Sequence, residues 1–121
     1  MYLYLEPINS SDCYVKVPEN FNFSGCEIGL CEIHVEFKGR PVDFYLCCDL
    51  CDTSAVGNQY LHILRRIHPR RQKEHMVFDP VYYKPMMNKH STSIHMYLNP
   101  VHDQSQSVDI KSLSCTLHLK Q

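Results

Sequence analysis

The stretch V-D-F-Y-L-C-C-D-L-C-D-T-S-A-V-G-N-Q-Y-L-H-I-L-R-R-I, Val42 to Ile67, decides the fold. It reads as two apolar strands around a loop. Val42 to Leu50 is a near-continuous run of β-branched, aromatic and thiol side chains, the composition of a strand buried on both faces. Asp52, Thr53, Ser54, Gly57 and Asn58 then supply turn chemistry. Beyond the turn, Leu61, Ile63 and Ile67 share a face with Arg65, and Tyr60, His62, Leu64 and Arg66 share the other, so this second strand is less cleanly two-faced.

Working outward, the clearest alternation is Cys31, Ile33, Val35 and Phe37 against Glu32, His34, Glu36 and Lys38, one buried and one wet face. Cys26, Ile28 and Leu30 carry the opposite parity, which predicts a bulge near Gly29. Tyr2 to Glu6 and Cys13 to Val17 read as an opening pair of strands parted by Pro7 and the Asn9 to Asp12 cluster. Pro18 to Gly25 reads as a connection with Phe21 and Phe23 tucked inward. His68 to His75 reads as a polar loop, and Val77 to Tyr83 as a strand that Pro80 confines to an edge or bulge. Ser93, His95 and Tyr97 alternate with Ile94, Met96 and Leu98, and Asn99 to Gln106 reads as a loop. The last strand sets Leu113, Cys115, Leu117 and Leu119 against Ser114, Thr116, His118 and Lys120. About eight short strands with no helical stretch predict an all-β antiparallel sandwich, jelly-roll-like, in one domain over residues 1–121.

A chain of 121 residues has one domain's length and can bury a core without metals or cross-links. A formal charge of −1 gives no global electrostatic case for nucleic acid or an acidic membrane. Met1 to Glu6 lacks a basic region followed by an apolar core and no apolar run approaches membrane-spanning length, so the chain is expected to be soluble and not secreted. The seven cysteines are odd in number and lack the spacing of a secreted framework, which predicts reduced thiols.

Three clusters could carry chemistry. Cys47, Cys48 and Cys51, with Cys26 and Cys31 upstream, have short thiolate spacing suited to zinc, but they lie in an apolar strand with alternating direction, where a thiol packs as a small hydrophobe. His34, His95 and His118 fall on polar strand faces, and no pair has helical ligand spacing. Arg65, Arg66, Arg70, Arg71 and Lys73 put five of twelve basic residues into nine positions, a solvated loop or a patch for phosphate or an acidic neighbour. No catalytic residue, metal ligand or cofactor is assigned.

Cys48-Asp49, Val56-Gly57-Asn58 and Leu64-Arg65 resemble a pattern in virion proteins of Maverick/Polinton elements and adintoviruses, and of the related adomaviruses. There, Tyr-Cys-Asp leads through Val-Gly-Asn or Val-Gly-Asp into a Leu-Leu-Arg strand. The segment from Phe23 to Ile33 and the closing Cys115 to Lys120 resemble two further family segments in the same order. Asp52-Thr53-Ser54 departs from a usual Glu-Pro-Gln, and Cys51 stands at an aliphatic position of the family, which favours packing over zinc. The resemblance implies a structural component of a double-stranded DNA virus, minor capsid or penton-like. Such a subunit would be located in the virion, assembled in the host nucleus or cytoplasm, self-associating as a trimer or pentamer and contacting major capsid protein. On that reading His34, Arg65, Arg66, Arg70, Arg71, Lys73, His95, Tyr97 and His118 form the interface. The alternatives are a fibre-head or receptor-binding module and, from other classes, a nucleic-acid-binding module using segment 65–73 or a zinc-dependent enzyme.

Overall fold

A computed structural model describes residues 1–17, 21–87, 93–102 and 108–121. The described residues form eleven strands and no helix: β1 (Tyr2–Ile8), β2 (Asp12–Lys16), β3 (Glu27–Phe37), β4 (Phe44–Cys48), β5 (Ser54–Val56), β6 (Gln59–Leu61), β7 (Ile63–Ile67), β8 (Lys73–Val77), β9 (Tyr83–Pro85), β10 (Ser93–Pro100) and β11 (Ile110–Lys120). There is accordingly no helix long and apolar enough to cross a membrane.

Every pairing is antiparallel, and the pairs are nested: β1 with β11, β2 with β10, β3 with β8 and β9, β4 with β7, and β5 with β6. The chain is thus one long hairpin whose tip is Gly57-Asn58, where Val56 pairs with Gln59 and Gly57 takes a positive φ of 58°. Folding that hairpin over itself gives a five-stranded sheet in the order β1-β11-β3-β8, with β9 beside β8 on the edge of β3, packed on a sheet in the order β2-β10-β4-β7. That is the strand order of an eight-stranded jelly roll with β5, β6 and β9 added. The expected fold is therefore what forms.

The interior is apolar and filled. Phe23, Phe37, Phe44, Leu30, Ile33, Leu46, Ile67, Ile94 and Met96 are among the side chains fully withdrawn from solvent, and no polar or charged residue is buried among the described residues. Phe37 and Phe44 meet edge-on at 6.2 Å between the sheets. Each such side chain contributes about 1.5–3 kcal/mol of burial.

Several local expectations shift. The central strand is buried on both faces as expected, with Cys48 in the core and Cys47 on the outer side beside Tyr97. Its partner after the turn divides into β6 and β7, and a bulge between Ile63 and Arg65 lets both Ile63 and Leu64 be buried, so the face assignment drawn from simple alternation fails at Leu64. The β3 bulge sits at Cys31, since Thr116 pairs with Glu32 while Leu117 pairs with Leu30. Gly29 has a different task, taken up below. β1 and β2 exist but separate into different sheets. Phe23 is fully buried with Phe21 packed edge-on at 4.9 Å. The polar loop after His68 ends earlier than its composition suggests, because Lys73, Glu74 and His75 already belong to β8. Val77 to Tyr83 is not one strand: β8 ends at Val77, a cis Asp79-Pro80 bond follows, and β9 begins at Tyr83. β10 runs on through Asn99 and Pro100, so the loop expected there starts later, and its residues 103–106 lie outside the described residues.

Candidate functional site

Because alternate residues of a strand face opposite ways, filling the interior with one set sends the other set onto two outer faces. The outer face of the five-stranded sheet is the richer one. Register aligns its side chains in rows across the strands. One row runs Tyr2, His118, Gly29, Tyr83; the next runs Tyr4, Thr116, Glu32, Val77; a third runs Ser114, His34, His75.

In the first row Tyr2 packs on His118 at 4.5 Å between ring centres, and the Tyr83 hydroxyl lies 2.8 Å from His118 Nδ1. Tyr83 reaches across Gly29, where a Cβ would stand 3.1 Å from the tyrosine ring and 2.5 Å from Val81 Cγ1. Glycine here makes room for an aromatic lid, and Lys120 Nζ closes the group 3.9 Å above the Tyr83 ring. Burial first, then the N-terminal amine and Lys120, lower the His118 pKa, which favours the neutral imidazole beside the Tyr83 hydroxyl. Burial first, then Cys31, raises the pKa of Tyr83, which keeps that proton in place.

In the other two rows, His34 and His75 face each other directly across β3 and β8, stacked at 3.8 Å and 3° from parallel. His75 Nε2 donates to Glu32 Oε2 at 3.1 Å, and the Thr116 hydroxyl donates to Glu32 Oε1 at 3.1 Å. Those two bonds, His75 first, hold the Glu32 carboxyl below the usual carboxylate range. Shallow depressions of about 230 Å³, lined by His34, Glu36, Lys73 and His75, and about 300 Å³, lined by Tyr4, Glu32, His34 and Thr116, flank the His34 ring.

The sequence-predicted residues do not form one surface. His34 and His118 lie on this face, while His95 and Tyr97 lie on the outer face of the other sheet. There His95 stacks on Tyr14 at 4.6 Å, and its Nε2 is 3.5 Å from Asp12 Oδ2 without forming a hydrogen bond. The basic segment divides as well. Arg65 is clamped between Phe78 and Tyr82, its guanidinium carbon 3.9 and 4.4 Å from the ring centres, and burial lowers its pKa. Arg66 binds Asp43 at 3.2 Å, and that carboxylate also takes His68 at 2.6 Å and His102 at 3.6 Å. Arg70 and Arg71 stay exposed between β7 and β8, and Lys73 pairs with Glu36 at the start of β8. Two of the five cations are therefore committed to internal contacts, which weakens a phosphate-binding reading of segment 65–73.

All seven cysteines are free thiols. Burial pushes Cys47 up to about 12, and a hydrogen bond with Cys48 together with burial also raises the Cys51 pKa. Cys115 is likewise pushed up to about 12 by burial. Such thiols are poor ligands and nucleophiles. Among the described residues the group of three potential metal-ligating side chains that converges is Glu32, His34 and His75, away from the cysteines. Sequence reasoning found His34 and missed Glu32, His75, Thr116 and Tyr83. The signal available was the alternation Lys73, His75, Val77, weakened because its inward set includes Glu74.

Comparison with known proteins finds no matching family model, no matching curated protein and no matching solved structure.

Proposed function

We propose that this chain is a structural subunit of a double-stranded DNA virus particle, minor capsid or penton-like, that acts by self-association and by contact with major capsid protein. The observation that carries the reading is a filled apolar jelly roll whose exposed aromatics include Tyr2 and Tyr4, 57% and 67% accessible, side by side on edge strand β1. An edge strand carrying exposed rings is a surface suited to another protein. Jelly rolls recur in capsid subunits, and the likeness around Cys48-Asp49 and Val56-Gly57-Asn58 points the same way; both supports are analogies of fold and motif. An obligate interface burying about 2,000 Å² in total takes about 1,000 Å² from each copy. That is roughly a seventh of this chain's 7103 Å² of accessible surface.

Native mass spectrometry of the purified protein is expected to give a closed trimer or pentamer, and Tyr2→Ser with Tyr4→Ser to shift it to monomer with unchanged circular dichroism. A wild-type chain that stays monomeric at high concentration and is absent from virions sinks the proposal. A receptor-binding head is the second reading, favoured by the β5-β6 hairpin, which pairs only with itself and exposes Tyr60 at 77%. On that reading Tyr60→Ser leaves assembly intact and abolishes attachment.

A further inference from the structure

We infer that Glu32, His34 and His75 form a surface site for a divalent transition-metal ion of zinc's class, bridging strands β3 and β8. The three ligand atoms lie within 4.8 Å of one another, on adjacent strands held in register by the ladder that opposes His34 to His75 and Glu32 to Val77. Donors around a tetrahedral zinc ion, at about 2.0–2.1 Å from it, stand roughly 3.4 Å apart. His75 Nε2 and Glu32 Oε2 are already 3.1 Å apart. The ion therefore takes the place of the proton now shared between them, and rotation of the exposed His34 ring out of its parallel stack brings in the third donor.

The surroundings fit a cation. One Glu32 oxygen faces His75, and the Thr116 hydroxyl fixes the other at 3.1 Å, the outer-shell contact that orients a ligating carboxylate. Two imidazoles and one carboxylate suit zinc, nickel or copper and not calcium or magnesium, which want oxygen ligands throughout. Three protein donors on an open face leave a fourth position for water or for a donor from another molecule. β8 lies at the end of its sheet's strand order, so the ion would pin an edge strand to the sheet interior. The site is independent of the assembly proposal.

The test is titration of chelator-treated, reduced protein with zinc chloride by calorimetry, with cobalt absorption and imidazole NMR alongside. Expected are one equivalent bound, a cobalt spectrum without a thiolate charge-transfer band, and zinc-dependent shifts of the His34 and His75 ring resonances. His34→Asn and His75→Asn should each weaken binding at least tenfold while Glu74→Gln does not. Metal binding releases protons, so affinity weakens as pH is lowered. The inference is overturned by no saturable binding, by a thiolate band, or by histidine variants that bind as well as wild type. The ring shifts are read on the unaltered chain, so the outcome does not depend on a variant folding.

Discussion

Replacing Gly29 by alanine separates two opposed effects at one atom. In a strand interior, glycine normally costs about 0.5–1 kcal/mol relative to alanine, because the unfolded chain loses more freedom. Alanine should therefore stabilise unless the added Cβ collides. Here it would stand 2.5 Å from Val81 Cγ1, 3.1 Å from the Tyr83 ring and 3.2 Å from the Tyr82 carbonyl oxygen. Neither first nor last can easily give, since a β-branched side chain is stiff at χ1 and the carbonyl is backbone. Overpacking of this kind costs about 1–3 kcal/mol, so a net loss of about 1–2 kcal/mol is expected. With about 2.1 cal/mol/K per residue over 121 residues, each kcal/mol is worth about 4 °C, giving a fall in Tm of roughly 4–8 °C by calorimetry. The same displacement lifts Tyr83 from His118, so the His118 pKa, lowered first by burial, should rise toward its ordinary value in a pH-titrated NMR spectrum. Val81→Ala in the Gly29→Ala background should recover part of the Tm. A neutral or more stable Gly29→Ala protein with an unmoved His118 would refute the account of that glycine as room for an aromatic lid.

Two further outcomes concern Asp43 and the thiols. Asp43 is worked on by burial, which raises its pKa, but the hydrogen bonds and charges of His68 and Arg66 overcome this and hold it below the usual range. A depressed carboxylate stabilises above its unfolded pKa of about 4, and that contribution is lost as pH falls through the lower folded value. Asp43→Asn should therefore cost about 1 kcal/mol at neutral pH, discounted for the exposure of Arg66 and His68, and should flatten the acid limb of a denaturant-midpoint against pH curve. An unchanged acid limb would exclude this role. For the thiols, pulse labelling read by mass spectrometry should modify half-buried Cys13 and Cys31 first and leave Cys47, Cys48, Cys51 and Cys115 unlabelled until the protein unfolds. Rapid native labelling of Cys48 or Cys51 would contradict their packing.

The class of fold was legible because two strands, Cys31 to Phe37 and Leu113 to Leu119, alternate without interruption and the stretch around Gly57-Asn58 carries the turn. That the turn is the tip of a hairpin running the whole length of the chain was not, since nesting β1 on β11 depends on contacts between residues more than a hundred positions apart. Bulges were the weak point for the same reason. Alternation predicts faces only while register holds, and one extra residue at Cys31 or Leu64 inverts the parity of everything beyond it. Individual histidines could be assigned to polar faces from alternation alone, and His34, His95 and His118 were. The rings they meet, His75, Tyr14 and Tyr83, could not be assigned that way.

The distinction bears on where function lies. A composition-based reading gathers Arg65 to Lys73 into one patch because they are neighbours in sequence, yet a strand sends Arg65 between two rings and Arg66 onto Asp43. Cross-strand register does the reverse: it gathers Glu32, His34, His75 and Thr116 from three strands into one cluster while scattering each from its sequence neighbours. On this face the side chains that act together are those that strand register sets opposite one another. His34 and His75 stand 23 and 18 residues from Gly57 on opposite arms, brought opposite each other by the ladder and not by any local motif. A search of such a chain for chemistry has to run across the sheet, row by row, and on this face it finds Tyr83 with His118 in the first row and His75 with Glu32 joining the third row to the second.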